Sequence, residues 1–340
     1  MNNDTPNNAE QTAIEVGSGM LRYQVADSWP ILPPDWDLVE VAGVATDSQD
    51  RVYVFNRGEH SVGVFSPDGK LLNSWGAGVF ACAHGITIGP DDVVYCVDHF
   101  DHTVKLFSPG GELLRTLGVS GQFSDTGATT VDYRTIRRAG PPFNFPTNLA
   151  VGPEGDLFAA DGYGNARVHK FSPEGTLLCS WGEPGDGPGQ FRVPHGIALD
   201  ADGTVYVADR ENSRIQLFTS DGRFMTEWND IARPCEVFVG GDERVYVAEL
   251  GYRAGMWPGT QPPEPSATGG RVSIFNRQGE LLARWGGGEN PCGAGDFFAP
   301  HDIWVDSRGD IYVGEVTMSA GGNCGLVPRG CHCIQKFVRR

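Results

Sequence analysis

Three histidines occupy one and the same position within a recurring sequence pattern. They are His84 in AHGI, His195 in PHGI and His301 in PHDI. The equivalent positions of the intervening repeats hold other residues: Ala42, Thr147 and Cys235. A lone histidine most often bonds a backbone carbonyl, whereas three in alternate repeats favour a shared metal ion. Zinc suits three imidazole ligands with an open fourth position, and iron or another divalent ion also fits this donor set.

The repeat that carries these histidines is about 40 residues long, which is the length of a propeller blade. Each copy has an apolar run, a V-Y-V-type strand, a strand ending in Phe and a final strand that often ends in Trp-Gly. Copies span 39–76, 82–118, 145–182, 192–228 and 233–286, and a sixth begins at Phe298. A β-sandwich also has short, regularly spaced strands, but it does not repeat one sequence six times. The pattern predicts an all-β, six-bladed β-propeller.

The sixth copy lacks the outer strand that ends the other copies. Residues 21–29 have the matching alternation and a similar Trp, so we expect the N-terminal strand to complete the last blade and close the ring. The predicted domain is a single propeller over 18–340, preceded by a disordered tail over 1–17. Insertions at 119–143, 252–270, 286–297 and 317–330 are expected to form loops on a blade face.

Composition narrows the possible partners. The net charge of −17 argues against a nucleic acid partner. No apolar run approaches the roughly 18 residues of a membrane span, and the N-terminus lacks the pattern of a secretory signal, so a cytoplasmic location is expected. The eight cysteines are then expected to be free thiols. The role of Cys324, Cys331 and Cys333 stays open, as does the oligomeric state.

Propeller geometry places the three histidines together. Alternate blades of six stand about 120° apart and the first strand of each blade lines the channel, so the imidazoles should converge on the axis. The loops after each second strand open on the same end, where Arg57 would bind a carboxylate and Tyr163 would act as a base. Loop capping and ion pairs between blades are the plainer interpretation, which we expect for Asp161, Asp209 and Arg167. The other histidines, all outside this register, are expected at the surface or in loops: His60, His99, His102, His169 and His332.

Three stretches carry a family resemblance: FNFPTNLAVGPEGDLFAADGYGNARV, GQFRVPHGIALD and VADRENSRIQLF. Together they resemble peptidylglycine α-hydroxyglycine amidating lyase, an NHL-type propeller, over residues 39–316. The resemblance implies a catalytic zinc held by the three histidines. It also implies that Tyr163 is the base, that Arg57 faces the substrate and that Arg210 lies near the same site.

The resemblance further implies a structural calcium ion. Its ligands would be the carboxylate of Asp302 and the backbone carbonyls of Val44 and Ile86, a donor set that suits a hard cation. The chain departs from the family pattern at Ala299, where the family has methionine, and at Gly164, where it has cysteine. The first change alters the pocket wall, and the second removes a disulfide partner.

Three functions fit these residues. The first is a lyase that cleaves the N–C bond of an α-hydroxyglycine-type amide or a related carbinolamide. Because the resemblance covers the lyase region and not a copper hydroxylase, we expect a small-molecule substrate, one carrying a carboxylate. The second is a metal-dependent hydrolase or lactonase that uses a metal-bound hydroxide. The third is a non-catalytic NHL scaffold that binds a protein.

Overall fold

The computed structural model describes residues 13–257 and 268–340, and it confirms the predicted six-bladed β-propeller. Six antiparallel sheets of four or five strands surround a central channel. The strands, β1 to β27 in chain order, are Glu15–Ser18, Leu21–Val25, Val41–Thr46, Val52–Asn56, Val62–Phe65, Leu71–Trp75, Ala83–Ile88, Val94–Asp98, Thr103–Phe107, Leu113–Leu117, Pro146–Val151, Leu157–Asp161, Arg167–Phe171, Leu177–Trp181, Glu183–Pro184, Gln190–Phe191, Pro194–Leu199, Val205–Asp209, Arg214–Phe218, Phe224–Trp228, Pro234–Val239, Arg244–Glu249, Arg271–Asn276, Leu281–Gly286, Pro300–Val305, Ile311–Glu315 and Ile334–Arg339.

The blades follow the chain in order. Blades 1 to 5 are β3–β6, β7–β10, β11–β14, β17–β20 and β21–β24, and blade 6 contains β25, β26 and β27. Among the described residues, helix is confined to short pieces. There is one α-helix, α1, at Thr317–Ala320, and there are three 3-10 turns, at Tyr133–Thr135, Arg210–Asn212 and Gly322–Cys324. The inner strands are almost wholly buried, whereas the outer strands are exposed or only partly buried along most of their length. The core therefore lies between neighbouring blades, where alternating apolar side chains of two sheets meet.

The last residue of each second strand ties its blade together. Asp98 accepts hydrogen bonds from the backbone N–H groups of Ala81 and Cys82, both 2.9 Å away. Asp161 accepts the Asn144 N–H in the same way, and Glu315 accepts those of Phe298 and Ala299. Buried carboxylates need such donors because an unpaired one is costly. These bonds fix the segment that leads into each inner strand, which is where the histidines lie.

The ring closes as predicted, through the N-terminal part of the chain. Strand β2 pairs with β27, with Tyr23 opposite Arg339, and completes blade 6. Strand β1 then pairs with β2 as a fifth strand. Residues 15–17, which the sequence placed in a disordered tail, therefore belong to a strand, since edge pairing satisfies their backbone. Residues 1–12 of that predicted tail lie outside the described residues.

Loops of the insertions gather on one face of the propeller. Val131, Met256, Trp257 and Ser319 come from three different insertions and line one cavity there. Of the insertion at 252–270, the structure describes residues 252–257 and 268–270. Within the described residues, no helix is long and apolar enough to cross a membrane.

Ring closure can be tested by shortening one side chain. Tyr23 is fully buried, with its ring centroid 5.6 Å from that of Trp285. Tyr23→Ala leaves a cavity between blades 5 and 6, and we expect the free energy of unfolding to fall by about 3 kcal/mol. Urea denaturation measures the change, with Met20→Ala, at an 86% exposed residue, as the control. Equal denaturation midpoints for wild type and Tyr23→Ala would contradict the proposed closure.

Candidate metal centre and cavity

The imidazoles of His84, His195 and His301 converge at one end of the channel. Their ring centroids lie 4.7 to 4.8 Å apart. Their ligand atoms all fall within 4.8 Å of one another, and all three side chains are buried. Among the described residues, no other group of three or more His, Cys, Asp or Glu is clustered closely enough to hold a metal ion.

One hydrogen bond orients each ring. The Nδ1 atom of His84 lies 2.6 Å from the carbonyl oxygen of Thr147, and that of His195 lies 2.8 Å from the carbonyl of Cys235. Likewise, Nδ1 of His301 lies 2.7 Å from the carbonyl of Ala42. A carbonyl only accepts, so Nδ1 carries the proton and the lone pair is left on Nε2. Each partner is the residue at the equivalent inner-strand position of the next blade, so the fold itself selects the tautomer.

The donor set fits a transition metal. The Nε2 atoms of His84 and His301 are buried and have no hydrogen-bond partner among the described residues. Burial lowers the pKa of all three histidines; for His301, burial and then the charge of Arg57 lower it to about 3. Neutral imidazoles with free lone pairs are ligands for zinc, copper or iron. Three imidazole ligands would leave a fourth coordination position for water or a substrate.

Tyr163 lies at the edge of this histidine group. Its hydroxyl is 3.2 Å from Nε2 of His195 and accepts a hydrogen bond of 2.9 Å from Nη1 of Arg210. The guanidinium of Arg210 also lies 5.1 Å from the centre of the tyrosine ring. Arg210 is itself held by Glu211, 2.8 Å away. A cation in this position stabilises negative charge on the tyrosine oxygen.

Arg57 faces the cavity from blade 1. Its Nη1 pairs with Glu40 at 3.0 Å and donates to the hydroxyl of Ser319 at 3.1 Å. Its Nε donates to the carbonyl of Ala83 at 2.8 Å. These contacts hold the guanidinium plane in one orientation.

The cavity next to the histidines has a volume of about 420 Å³. Its polar lining includes Glu40, Arg57, His99, Tyr163, Arg210 and His301. Its apolar lining includes Phe100, Val131, Leu250, Met256, Trp257 and Val316. A small organic molecule with one polar end and one apolar end would fit this division.

Several histidines are more buried than the sequence predicts. His99 and His102 are each 5% exposed and His169 is fully buried. His169 packs in β13 beside Asp161, and Nδ1 of His102 accepts the Phe145 N–H, so both have structural partners. His99 instead lines the cavity. A signal for it was present in the sequence: it directly follows the acidic end of a second strand, as Arg210 does.

Asp161 and Asp209 cap loops as expected. Asp209 accepts the Arg192 N–H and pairs with Arg214, each at 2.8 Å. Arg167 pairs with Glu183 at 3.3 Å.

Two carboxylates lie deeper in the channel, on the far side of the histidines. Asp302 accepts the backbone N–H groups of Val44 and Ile303. Glu236, which the sequence did not single out, accepts an N–H of Asn148. Burial raises the pKa of Asp302 well above its usual range, and the charge of Glu236 raises it further. Both border a second cavity of about 290 Å³ that Ile86 also lines.

The expectation that all cysteines are free thiols is wrong for one pair. Cys292 and Cys331 form a disulfide, with Cα atoms 4.9 Å apart, because the insertion at 286–297 contacts the residue that directly follows the insertion at 317–330. Cys324 and Cys333 are free, exposed and buried respectively. Disulfides persist in oxidising compartments, so this bond does not favour the cytoplasmic location predicted from the sequence. The location stays a prediction.

Comparison with known proteins points to one group. A family model described as "NHL repeat" matches residues 191–218. The chain is 29% identical over 335 residues to a mouse peptidyl-glycine alpha-amidating monooxygenase, covering 88% of this chain and 31% of that protein. It is 31% identical over 269 residues to peptidyl-alpha-hydroxyglycine alpha-amidating lyase 1 of Drosophila melanogaster, covering 73% of this chain and 45% of that protein. The chain thus spans about a third of the length of the monooxygenases it matches.

Solved structures with the same architecture include a gluconolactonase of Xanthomonas campestris. It matches with a TM-score of 0.59 at 13% identity, covering 94% of this chain and 90% of that one. At this identity the likeness concerns the fold.

Metal binding by the histidines can be measured directly. We expect the wild type to bind one zinc ion, and His195→Ala to weaken binding by more than the roughly 100-fold that loss of an outer-sphere partner causes. Competition with a chromophoric chelator gives the affinities. His60→Ala is the control, because that ring stacks on Trp36 at 3.9 Å, outside the metal centre. If His195→Ala bound zinc as tightly as wild type, the histidines would not form the site.

Proposed function

Because the chain belongs to the amidating-lyase-like family of NHL-repeat β-propellers, we propose that it is a metal-dependent lyase. Its substrate is an α-hydroxyglycine-type amide or a related small carbinolamide, and it breaks the bond between nitrogen and the carbinol carbon. The proposal is supported above all by the three neutral imidazoles that meet beside the Tyr163 hydroxyl. Nucleic acid and membrane partners are not part of it.

The reaction needs no water. The hydroxyl proton leaves the carbinol, the O–H electrons form the new C=O bond, and the C–N bond breaks with its electron pair on nitrogen. The nitrogen then takes up one proton. An N-acyl α-hydroxyglycine yields glyoxylate and a primary amide, and every atom of the substrate appears in these products.

Each residue has one task in this reaction. Tyr163, acting as a phenolate, takes up the hydroxyl proton and becomes neutral, and Arg210, whose Nη1 is 2.9 Å from the tyrosine oxygen, stabilises the phenolate before that transfer. Arg57 binds the substrate carboxylate, with Glu40 and the Ala83 carbonyl keeping its guanidinium in place. Zinc bound by the histidines would act as a Lewis acid toward the substrate hydroxyl oxygen.

A structural calcium ion belongs to the same proposal. Asp302 and Glu236 are 3% and 5% exposed, and the charged group that acts on Asp302 is the Glu236 carboxylate. Two adjacent buried carboxylates are stabilised by a hard cation with oxygen ligands. The carbonyls of Val44 and Ile86 would add to the carboxylate of Asp302, and Glu236 supplies a second negative charge near the ion.

Tyr163→Phe removes the proton acceptor and leaves the ring in place. We expect kcat on a zinc-loaded protein to fall by about 100-fold or more, with zinc affinity unchanged. The assay follows glyoxylate release from an N-acyl α-hydroxyglycine. Tyr252→Phe is the matched control, because that hydroxyl bonds Ser213. Equal rates for wild type and Tyr163→Phe would remove Tyr163 from the reaction.

Product analysis in ¹⁸O-labelled water separates the lyase from a hydrolase. A lyase releases a primary amide that contains no solvent oxygen, whereas hydrolysis of the amide places ¹⁸O in a carboxylic acid. We expect unlabelled amide as the product. Labelled acid would support the hydrolase. A wild type that binds zinc and turns over neither amides nor lactones would support the scaffold.

Calcium binding predicts a shift in thermal stability. At a hundredfold excess over its Kd, a calcium ion bound only by the folded state should raise the Tm of the wild type by on the order of 5 °C. Asp302→Asn should abolish the rise, and Asp221→Asn, on an exposed outer hairpin, should retain it. An equal Tm for the wild type in EGTA and in calcium would contradict the site.

A further inference from the structure

One repeat position contributes a residue to the cavity from five of the six blades. It is the residue directly after each second strand, and in blades 1 to 6 it is Arg57, His99, Gly162, Arg210, Leu250 and Val316. Five of these six residues line the cavity, and the sixth precedes Tyr163. The fold thus presents His99 to the cavity from the position at which it also presents the two arginines.

Within the described residues, no side-chain hydrogen bond or ion pair of His99 explains its burial. His99 is only 5% exposed. Its Nδ1 atom is buried and has no hydrogen-bond partner among the described residues. Its ring stands edge-on to that of His84, 5.0 Å between centroids, and lies 5.8 Å from the ring of Tyr163. Buried polar groups are nearly always hydrogen-bonded, so an exception at a cavity wall points to a ligand.

A second unpaired donor lies on the same cavity. Nε1 of Trp257 is buried and has no partner within the described part of the chain. The indole N–H can only donate, and a neutral imidazole donates from one nitrogen. The cavity therefore offers two unpaired donors near apolar side chains.

The proposed reaction produces charge that such donors stabilise. When the C–N bond breaks, its electron pair spreads over the nitrogen and carbonyl oxygen of the departing amide. Neutral donors fixed in a water-poor site stabilise developing charge of this kind most effectively, because they do not reorganise during the reaction.

We propose that His99, together with Trp257, donates hydrogen bonds to the leaving amide of the substrate, an inference that rests on the proposed lyase function. The apolar wall of Val131, Leu250 and Met256 then contacts the acyl substituent of that amide. The substrate class is accordingly an N-acyl α-hydroxy acid whose acyl group is aromatic or a short alkyl chain.

A leaving-group series tests this role. The substrates are para-substituted N-benzoyl-α-hydroxyglycines, which vary the acidity of the departing benzamide at constant shape, and the readout is the single-turnover rate of the zinc-loaded full chain. Loss of the His99 donor should slow His99→Phe by on the order of 100-fold. The substitution should also make the rate more sensitive to amide acidity, so that the plot of log rate against benzamide pKa has a steeper slope for His99→Phe than for wild type.

Two further variants complete the experiment. His99→Asn keeps a side-chain N–H and should restore part of the rate and the shallower slope. His60→Phe should match wild type in both. Zinc content should be equal in all variants, which separates the effect from damage to the metal centre. If the plots of log rate against benzamide pKa had equal slopes for wild type and His99→Phe, the inference alone would be overturned. If the wild type were inactive on the whole series, the proposed function and the inference would both be overturned.

Discussion

The metal centre depends on one contact made three times, the hydrogen bond from a histidine Nδ1 to a backbone carbonyl of the next blade. The bond fixes each ring plane and leaves the Nε2 lone pairs directed toward one another. Because the carbonyls of Thr147, Cys235 and Ala42 belong to inner strands, the geometry of the site is set by the packing of blade against blade. Correct closure of the ring is therefore a condition for the chemistry, and not only for stability.

Inner strands and loops supply different groups around this axis. Even blades supply the imidazoles, and the loops after the second strands add Arg57, His99 and Arg210, with Tyr163 one residue further along. The insertions then cover part of the cavity with apolar side chains and differ from blade to blade. A symmetric scaffold thus holds the metal ligands, while its asymmetric loops determine which molecule can be bound.

The sequence predicted the blades, the ring closure and the meeting of the three histidines, because residues at one position of a repeat occupy equivalent places around the ring. It did not reveal the burial of His99. This residue is not at the inner-strand position of the three metal-site histidines, but it directly follows a second strand, as Arg210 does. Glu236 was also missed, since a single glutamate at a channel position has no sequence neighbour that marks it. The Cys292–Cys331 bond depends on contact between one insertion and the residue that directly follows another, and insertions lie outside the repeat.

The central claim is that His84, His195 and His301 share one metal ion on the channel axis. Anomalous diffraction at the zinc absorption edge, from crystals of the zinc-loaded protein, tests it most directly. The account predicts a single strong peak at about 2.0–2.1 Å from the Nε2 atoms of all three rings. A peak bound elsewhere, or no peak between the three imidazoles in fully loaded protein, would contradict it.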